Sequence, residues 1–537
     1  MIKKGLFLLL VLPFLAVCAT RQAASPPPSV PSRQPGPPFD AKAKAVEAES
    51  FVARGGYVHL RHAFSLYQDI EKFAPDKSRF AADYAMTALL LAARTKEVGG
   101  RNDAYLAKAR ELVQSGEELA ALAPALEIVA LIPVKTLGVW DDSPDAEVPV
   151  RLDGKSPRSK SPAATADTAP AFFEKSLAAN LPAGPFFAYI HSLRQEQSDQ
   201  KDAARATLDE ALKIFPDSLL LKFKRATLAP ADARLLVEIT EKEPEFYESF
   251  LEQGRLALAG GTLITAEKHL LRAQEGVPES PLIAILLASI NFGTEEFDRS
   301  LAFYEKTLEV APAYKEALLG KAICLSCLGR AAEAIPMLED LLARGPGLRG
   351  ECLFWLATNL HEAGEIERAA AEIEKAKAVL PASSVYALAG TIAFERNLLE
   401  AAEKDLKTAV NLDSGECDAF FELGKLYALK PVWNDSALNF MLAGRGYEFE
   451  EMKIVTKIGQ VEQSPMPEER KGRLLARKKY QLEKTRLSKA TAQFNAAAGY
   501  FNAGDMDKAL TWGQSAAAHP YFAEKAKEFL ALISSRK

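Results

Sequence analysis

The histidines and cysteines are the residues best suited to metal or redox chemistry in this chain, six and five of them respectively. His59 and His62 stand three apart, so on a helix they share a face and could offer two imidazoles to one ion. No acidic or cysteine ligand is spaced with them as in known zinc patterns. His191, His269, His361 and His519 are isolated, so the sequence predicts no metal centre. Cys324-Leu-Ser-Cys327 has the spacing of a dithiol redox pair. It falls inside a helical stretch rather than after a strand of a βαβ unit, and small thiols pack there as modest hydrophobes. Cys352 and Cys417 stand alone. A Gly-x-Ser-x-Gly elbow and a phosphate loop are both absent, since Gly424-Lys425 runs on into Leu426 and lacks the earlier glycine. The carboxylates are abundant, but spacing alone assigns no pair of them to acid–base roles. The expectation is a chain with no catalytic residue and no cofactor.

The densest charge is basic: Arg470, Lys471, Arg473, Arg477, Lys478, Lys479, Lys484, Arg486 and Lys489, with Glu483 the only acid among them. On a helix much of it lies on one side. It could meet an acidic partner, anionic lipid or wall polymer, or be a solvated helical face. Across all 537 residues the formal charge is −5, which argues against nucleic acid, a ligand that wants a basic face. Five cysteines are too few for a disulfide scaffold.

The elements that would position these residues repeat. Pro278, Pro312 and Pro346 are 34 residues apart and Pro381 follows at 35, each preceded by apolar residues at helical spacing. The stretch from Phe297 to Pro312 shows the pattern most cleanly. A 34-residue period closed by proline resembles the tetratricopeptide family. On that frame the repeat from Tyr247 places Gly254, Ala266 and Ala273 at positions 8, 20 and 27. Later repeats place Ala288, Ser300 and Thr307, then Ala322, Ala334 and Leu341, then Ala357, Ala369 and Ala376, then Gly390, Ala402 and Ala409. A sixth repeat begins with Leu423, Gly424 and Tyr427 and is expected to slip by one residue at Lys430-Pro431. Weaker copies are read at Ala63–Pro75, Ala204–Pro216 and Ala497–Pro520. The fold expected is all-α, an α-solenoid of helix-turn-helix repeats forming a superhelix, because two helices alone cannot bury their apolar faces and must stack on neighbours.

The resemblance implies a concave groove lined by the first helix of each repeat. Carried over residue by residue, it is lined by Leu251, Arg255, Leu258, Ile285, Ser289, Phe292, Leu319, Ile323, Ser326, Phe354, Thr358, His361, Ala387, Thr391, Phe394, Phe421 and Lys425. This face is largely apolar and suits an extended or helical segment of a partner. Only Arg255 and Lys425 resemble the carboxylate clamp of the chaperone-binding members, and they lie far apart. A terminal helix or tight curvature would leave no groove.

The chain opens with Lys3, Lys4 and an apolar run from Leu6 to Val17, about the length of a signal-peptide core and too short for a span of ~20 residues. Leu15-Ala16-Val17-Cys18 resembles a bacterial lipobox, departing from it at Val17, where Gly, Ala or Ser is preferred. The resemblance implies lipidation of Cys18 and, with Ala19 rather than Asp next, an outer-membrane lipoprotein facing the periplasm. Pro26, Pro27, Pro28, Pro31, Pro35, Pro37 and Pro38 predict an extended tether. The domain expectation is a signal peptide at 1–17, a tether at 18–39, an N-terminal helical region at 40–137, a linker at 138–172, the main array at 173–460, a basic helical segment at 461–489 and a last repeat at 490–537. The functional expectation is a non-catalytic adaptor that binds other envelope proteins. The alternative is a transport accessory that binds a solute-binding protein or an apolar ligand.

Overall fold

A computed structural model of the chain describes residues 39–132 and 184–536, apart from 101–102, 116, 229–230 and 346. Cys18 and the segments expected to be a signal peptide, a linker and all but the end of a tether lie outside the described residues. Among the described residues there are 24 α-helices and no strand. None of these helices is long and apolar enough to cross a membrane.

Five helices form the N-terminal region: α1 (Ala41–Arg54), α2 (Tyr57–Phe73), α3 (Ala81–Glu97), α4 (Asp103–Gln114) and α5 (Ala123–Leu131). Two pairs follow, α6 (Pro185–Gln197) with α7 (Lys201–Ile214) and α8 (Leu219–Thr227) with α9 (Ala233–Lys242). The regular array comprises α10 (Tyr247–Ala259), α11 (Leu263–Gly276), α12 (Pro281–Gly293), α13 (Phe297–Val310), α14 (Lys315–Cys327), α15 (Ala331–Ala343), α16 (Arg349–Glu362), α17 (Ile366–Val379), α18 (Ser383–Glu395), α19 (Leu399–Leu412) and α20 (Cys417–Leu429). Four helices close the chain: α21 (Trp433–Gln463), α22 (Glu468–Asn502), α23 (Met506–Ala517) and α24 (Ala523–Arg536).

Three repeat boundaries have a local cause in proline. α11, α13 and α17 end two residues before Pro278, Pro312 and Pro381. The residue before each proline leaves the helical region, as at Ala311 (φ −132°, ψ 76°), because the proline ring excludes it. The turn inside each repeat needs one left-handed residue at position 15. Gly261, Gly329, Gly364 and Gly504 fill it at φ between 73° and 86°, while Glu295 and Asn397 fill it at 62° and 61°. Buried residues recur three and four apart along each helix, as with Ser300, Leu301, Phe303, Tyr304 and Thr307 on α13.

The small residues sit where the helices touch. Ala266, Ser300, Ala334, Ala369, Ala402 and Ser436 at position 20 are all buried. The two serines among them are satisfied in the same way: Ser300 Oγ donates to Ala288 O and Ser436 Oγ to Gly424 O, both at 2.8 Å. At Gly390 the partner helix comes so close that a Cβ would lie 2.5 Å from Leu406 Cγ.

The sixth repeat does not slip. Pro431 falls in the turn, and Ser436 and Ala443 take positions 20 and 27 with the rest of the array, both buried. The departure comes later. α21 starts as an ordinary second helix and continues for 31 residues, about 46 Å at ~1.5 Å per residue. The chain turns at Ser464-Pro465-Met466-Pro467, and α22 returns over 35 residues. The frame resumes inside α22, with Ala497, Ala509 and Ala516 buried at positions 8, 20 and 27. The boundary at 489/490 is therefore one of frame, with no break in the helix.

Candidate interaction surfaces

The expected groove is only partly a surface. Leu251, Leu258, Ile285 and Leu319 are buried core residues, a correction to their assignment as lining. All four belong to the main hydrophobic core, so position 5 does not meet open space in the first three repeats. Arg255, Phe292, Ile323, Phe354, His361, Phe394, Phe421 and Lys425 are half-buried. The half-buried aromatic and cationic positions gather on α16, α18 and α20. There Lys425 Nζ lies over the Phe394 ring at 4.9 Å and pairs with Glu422. His361 Nε2 is 2.9 Å from a Glu395 carboxylate oxygen, and Phe354 and Phe421 stack edge-on with Trp355 and Phe440. Phe292 belongs to a different neighbourhood, packed on Phe297 at 5.4 Å, and Arg477 covers that ring.

Arg477 arrives there on the long hairpin. Much of the basic segment, read from the sequence as either a contact for an acidic partner or a solvated face, meets carboxylates of the chain itself. Arg470 bonds to Glu267 (2.5 Å) and to Glu296. Lys478 Nζ and Gln481 Nε2 donate to the Glu295 carboxylate at 2.5 and 2.6 Å, and Arg477 donates to the Glu295 carbonyl. Arg486 and Lys489 pair with Glu451 across the hairpin. Sequence spacing could not find these pairs, because Glu295 and Lys478 are 183 residues apart. One signal was present: Glu295 stands where most repeats have a turn glycine. A non-glycine residue in that conformation costs about 1–2 kcal/mol, and here its side chain anchors the hairpin.

Burial opposes the charge on Glu295, but the Lys478 and Gln481 bonds outweigh it and hold the carboxyl below its ordinary value. Its contribution to docking is complete above the ordinary carboxylate range and fades as pH falls through the lowered value. Glu295→Gly relieves the backbone and removes the anchor together. We expect it to weaken hairpin docking by about 1–3 kcal/mol, read as faster amide hydrogen exchange over 464–482 with α12 and α13 still protected. Unchanged exchange at the hairpin tip would refute the anchor.

The thiols are poorly placed for redox work. Burial pushes Cys324 up to about 11 and Cys352 to about 12, away from the thiolate that reacts. Cys324 Sγ sits 3.4 Å from Ser300 Oγ in the core, while Cys327 is exposed.

A cavity of about 510 Å³ opens in the N-terminal half. Val52, Met86, Leu90, Phe186 and Phe215 supply apolar walls, and Glu49, Tyr67 and Asp83 supply polar groups. Burial, helped by Glu49, raises the Asp83 carboxyl above its ordinary value.

No known protein family's sequence profile matches the chain. The human protein O-mannosyl-transferase TMTC1 is 24% identical over 182 residues, a stretch that covers 33% of this chain and 20% of that protein. The chain thus spans about a fifth of that relative's length. Among solved structures, YrrB, described as a TPR protein with an unusual peptide-binding site, is 23% identical over 33% of this chain and 91% of its own, with a TM-score of 0.28. A tetratricopeptide repeat protein from Parabacteroides merdae is 17% identical over 54% of this chain and 98% of its own, with a TM-score of 0.34. The positions of the small buried residues and of the left-handed turns, repeat after repeat, make this chain an all-α solenoid of tetratricopeptide-type helix pairs.

Proposed function

We propose that the chain is a non-catalytic interaction scaffold of the bacterial cell envelope, tethered through a lipidated Cys18 and capturing another envelope protein on its first-helix face. The observation that carries this reading is the half-buried strip of Phe354, His361, Phe394, Phe421 and Lys425 on three successive first helices. Aromatic faces flanked by Lys425 and by Glu395 and Glu422 suit a peptide or helix that is partly apolar and of mixed charge. A rigid solenoid holds such a strip ready, so little side-chain order is lost on binding.

The test is crosslinking in the native cell followed by mass spectrometry. Phe354→Ser with Phe394→Ser is expected to reduce partner capture at least tenfold while the circular dichroism stays helical. Cys18→Ala is expected to retain capture and move the protein from the membrane to the soluble fraction. Undiminished capture by the double variant would remove the strip from consideration. A soluble wild-type protein would remove the anchor.

A second reading, a transport accessory that takes a small apolar ligand, draws its support from the cavity between α1–α3 and α6–α8. That cavity has the size and wall chemistry of a ligand site.

A further inference from the structure

Tertiary packing brings His59, at the start of α2, against Glu243 and Glu245 in the turn between α9 and α10. His59 Nε2 is 3.8 Å from Glu243 Oε1 and 3.6 Å from Glu245 Oε2. The three ligand atoms all lie within 4.8 Å of one another. His59 is 0% exposed, and neither of its ring nitrogens has a hydrogen-bond partner. The distances to the carboxylates are too long for hydrogen bonds, and an orphaned buried polar group costs about 1–3 kcal/mol. The same distances suit three ligands around one ion. Bonds of about 2.0–2.2 Å in a tetrahedral set put ligand atoms about 3.3–3.6 Å apart, within a few tenths of an ångström of the two histidine–carboxylate distances. His62 takes no part; it is exposed and stacks edge-on with Phe51.

We propose that His59, Glu243 and Glu245 form a divalent metal site of the zinc class, with a fourth position open to water. An imidazole with two carboxylates suits zinc better than calcium or magnesium, which favour all-oxygen shells. Gly56 makes room for the ring: a Cβ there would stand 2.9 Å from His59 Nδ1. Arg54 Nη1 lies 3.8 Å from the second oxygen of Glu243 and leaves the first free. Glu245 is 56% exposed, which gives the ion its path in. The ion would tie the N-terminal helices to the array, independently of any partner on the first-helix face.

The test uses the full chain, untagged, stripped with EDTA and titrated with zinc chloride by calorimetry. One zinc per chain is expected, with a raised thermal midpoint and a tetrahedral visible spectrum when cobalt replaces zinc. Glu245→Gln leaves the buried imidazole and the fold in place and is expected to weaken zinc binding at least tenfold and abolish the thermal shift. His59→Gln is the second variant, expected to lose the cobalt spectrum. Zinc binding by wild type no tighter than by Glu245→Gln would overturn the site, as would an equal response to magnesium.

Discussion

Glu248→Leu is expected to destabilise the junction between the N-terminal helices and the array by about 3–5 kcal/mol, the penalty for breaking a buried ion pair by removing one partner. Glu248 is 1% exposed and Arg94 0%. Glu248 Oε1 accepts from Arg94 Nη2 and from the Tyr57 backbone N–H, both at 2.6 Å. Arg94 also pairs with Glu97, which accepts from the Tyr189 hydroxyl at 3.0 Å. The guanidinium lies over Phe223 at 4.2 Å and Phe246 at 5.4 Å. One buried cluster thus joins α2, α3, α6, α8 and α10. Removing Glu248 leaves Arg94 with Glu97 as its counter-charge and the Tyr57 N–H unpaired. The double variant Glu248→Leu with Arg94→Met is expected to recover most of the loss, since well-packed apolar residues often replace a buried ion pair at little penalty. Glu97 keeps Tyr189 and, at 3.8 Å, Lys224. Urea unfolding followed by hydrogen exchange in α3 and α10 measures both. A double variant as unstable as the single would show that the charges are not coupled.

Ala369→Glu is expected to unfold its neighbourhood, with a loss of several kcal/mol. Ala369 is 0% exposed at position 20 of its repeat, with Ala357 buried at position 8. Overpacking a tight site costs about 1–3 kcal/mol, and an unpaired carboxylate away from water adds at least as much. Ala369→Ser is the control. Its hydroxyl can reach the Ala357 carbonyl as Ser300 and Ser436 reach theirs, so its loss is expected to stay below about 1 kcal/mol. Since solenoid repeats touch mainly their neighbours, lost exchange protection is expected over α16–α18, with α1–α9 protected as before. Equal stability of the glutamate and serine variants would contradict the close-packed role of position 20.

The two stability tests draw on different ranges of the chain. Position 20 was legible in the sequence because helix geometry is local: the 34-residue period and the small residues place Ala334 and Ala369 at contacts without reference to anything distant. The sixth repeat was misread at Pro431 because a proline usually ends a helix, and here it lies in the turn that already separates two. The expected groove differs at Leu251, Leu258, Ile285 and Leu319 for a related reason. Position 5 is defined by the frame, but whether Leu319 meets water or the next helix depends on how closely neighbouring repeats stack.

The sequence by itself determined the helices, their pairing, their phase and the absence of recognisable catalytic motifs, all of which follow from contacts within about one repeat. Only the tertiary structure decided that the basic stretch serves the chain's own Glu267, Glu295 and Glu296, that Arg94 meets Glu248, and that His59 faces two glutamates from another helix pair. Each of those encounters joins charged residues more than 150 positions apart. No periodicity records such distances, because a helical repeat constrains neighbours and leaves the closure of the chain upon itself to the accumulated twist of the stack and to a hairpin long enough to cross it.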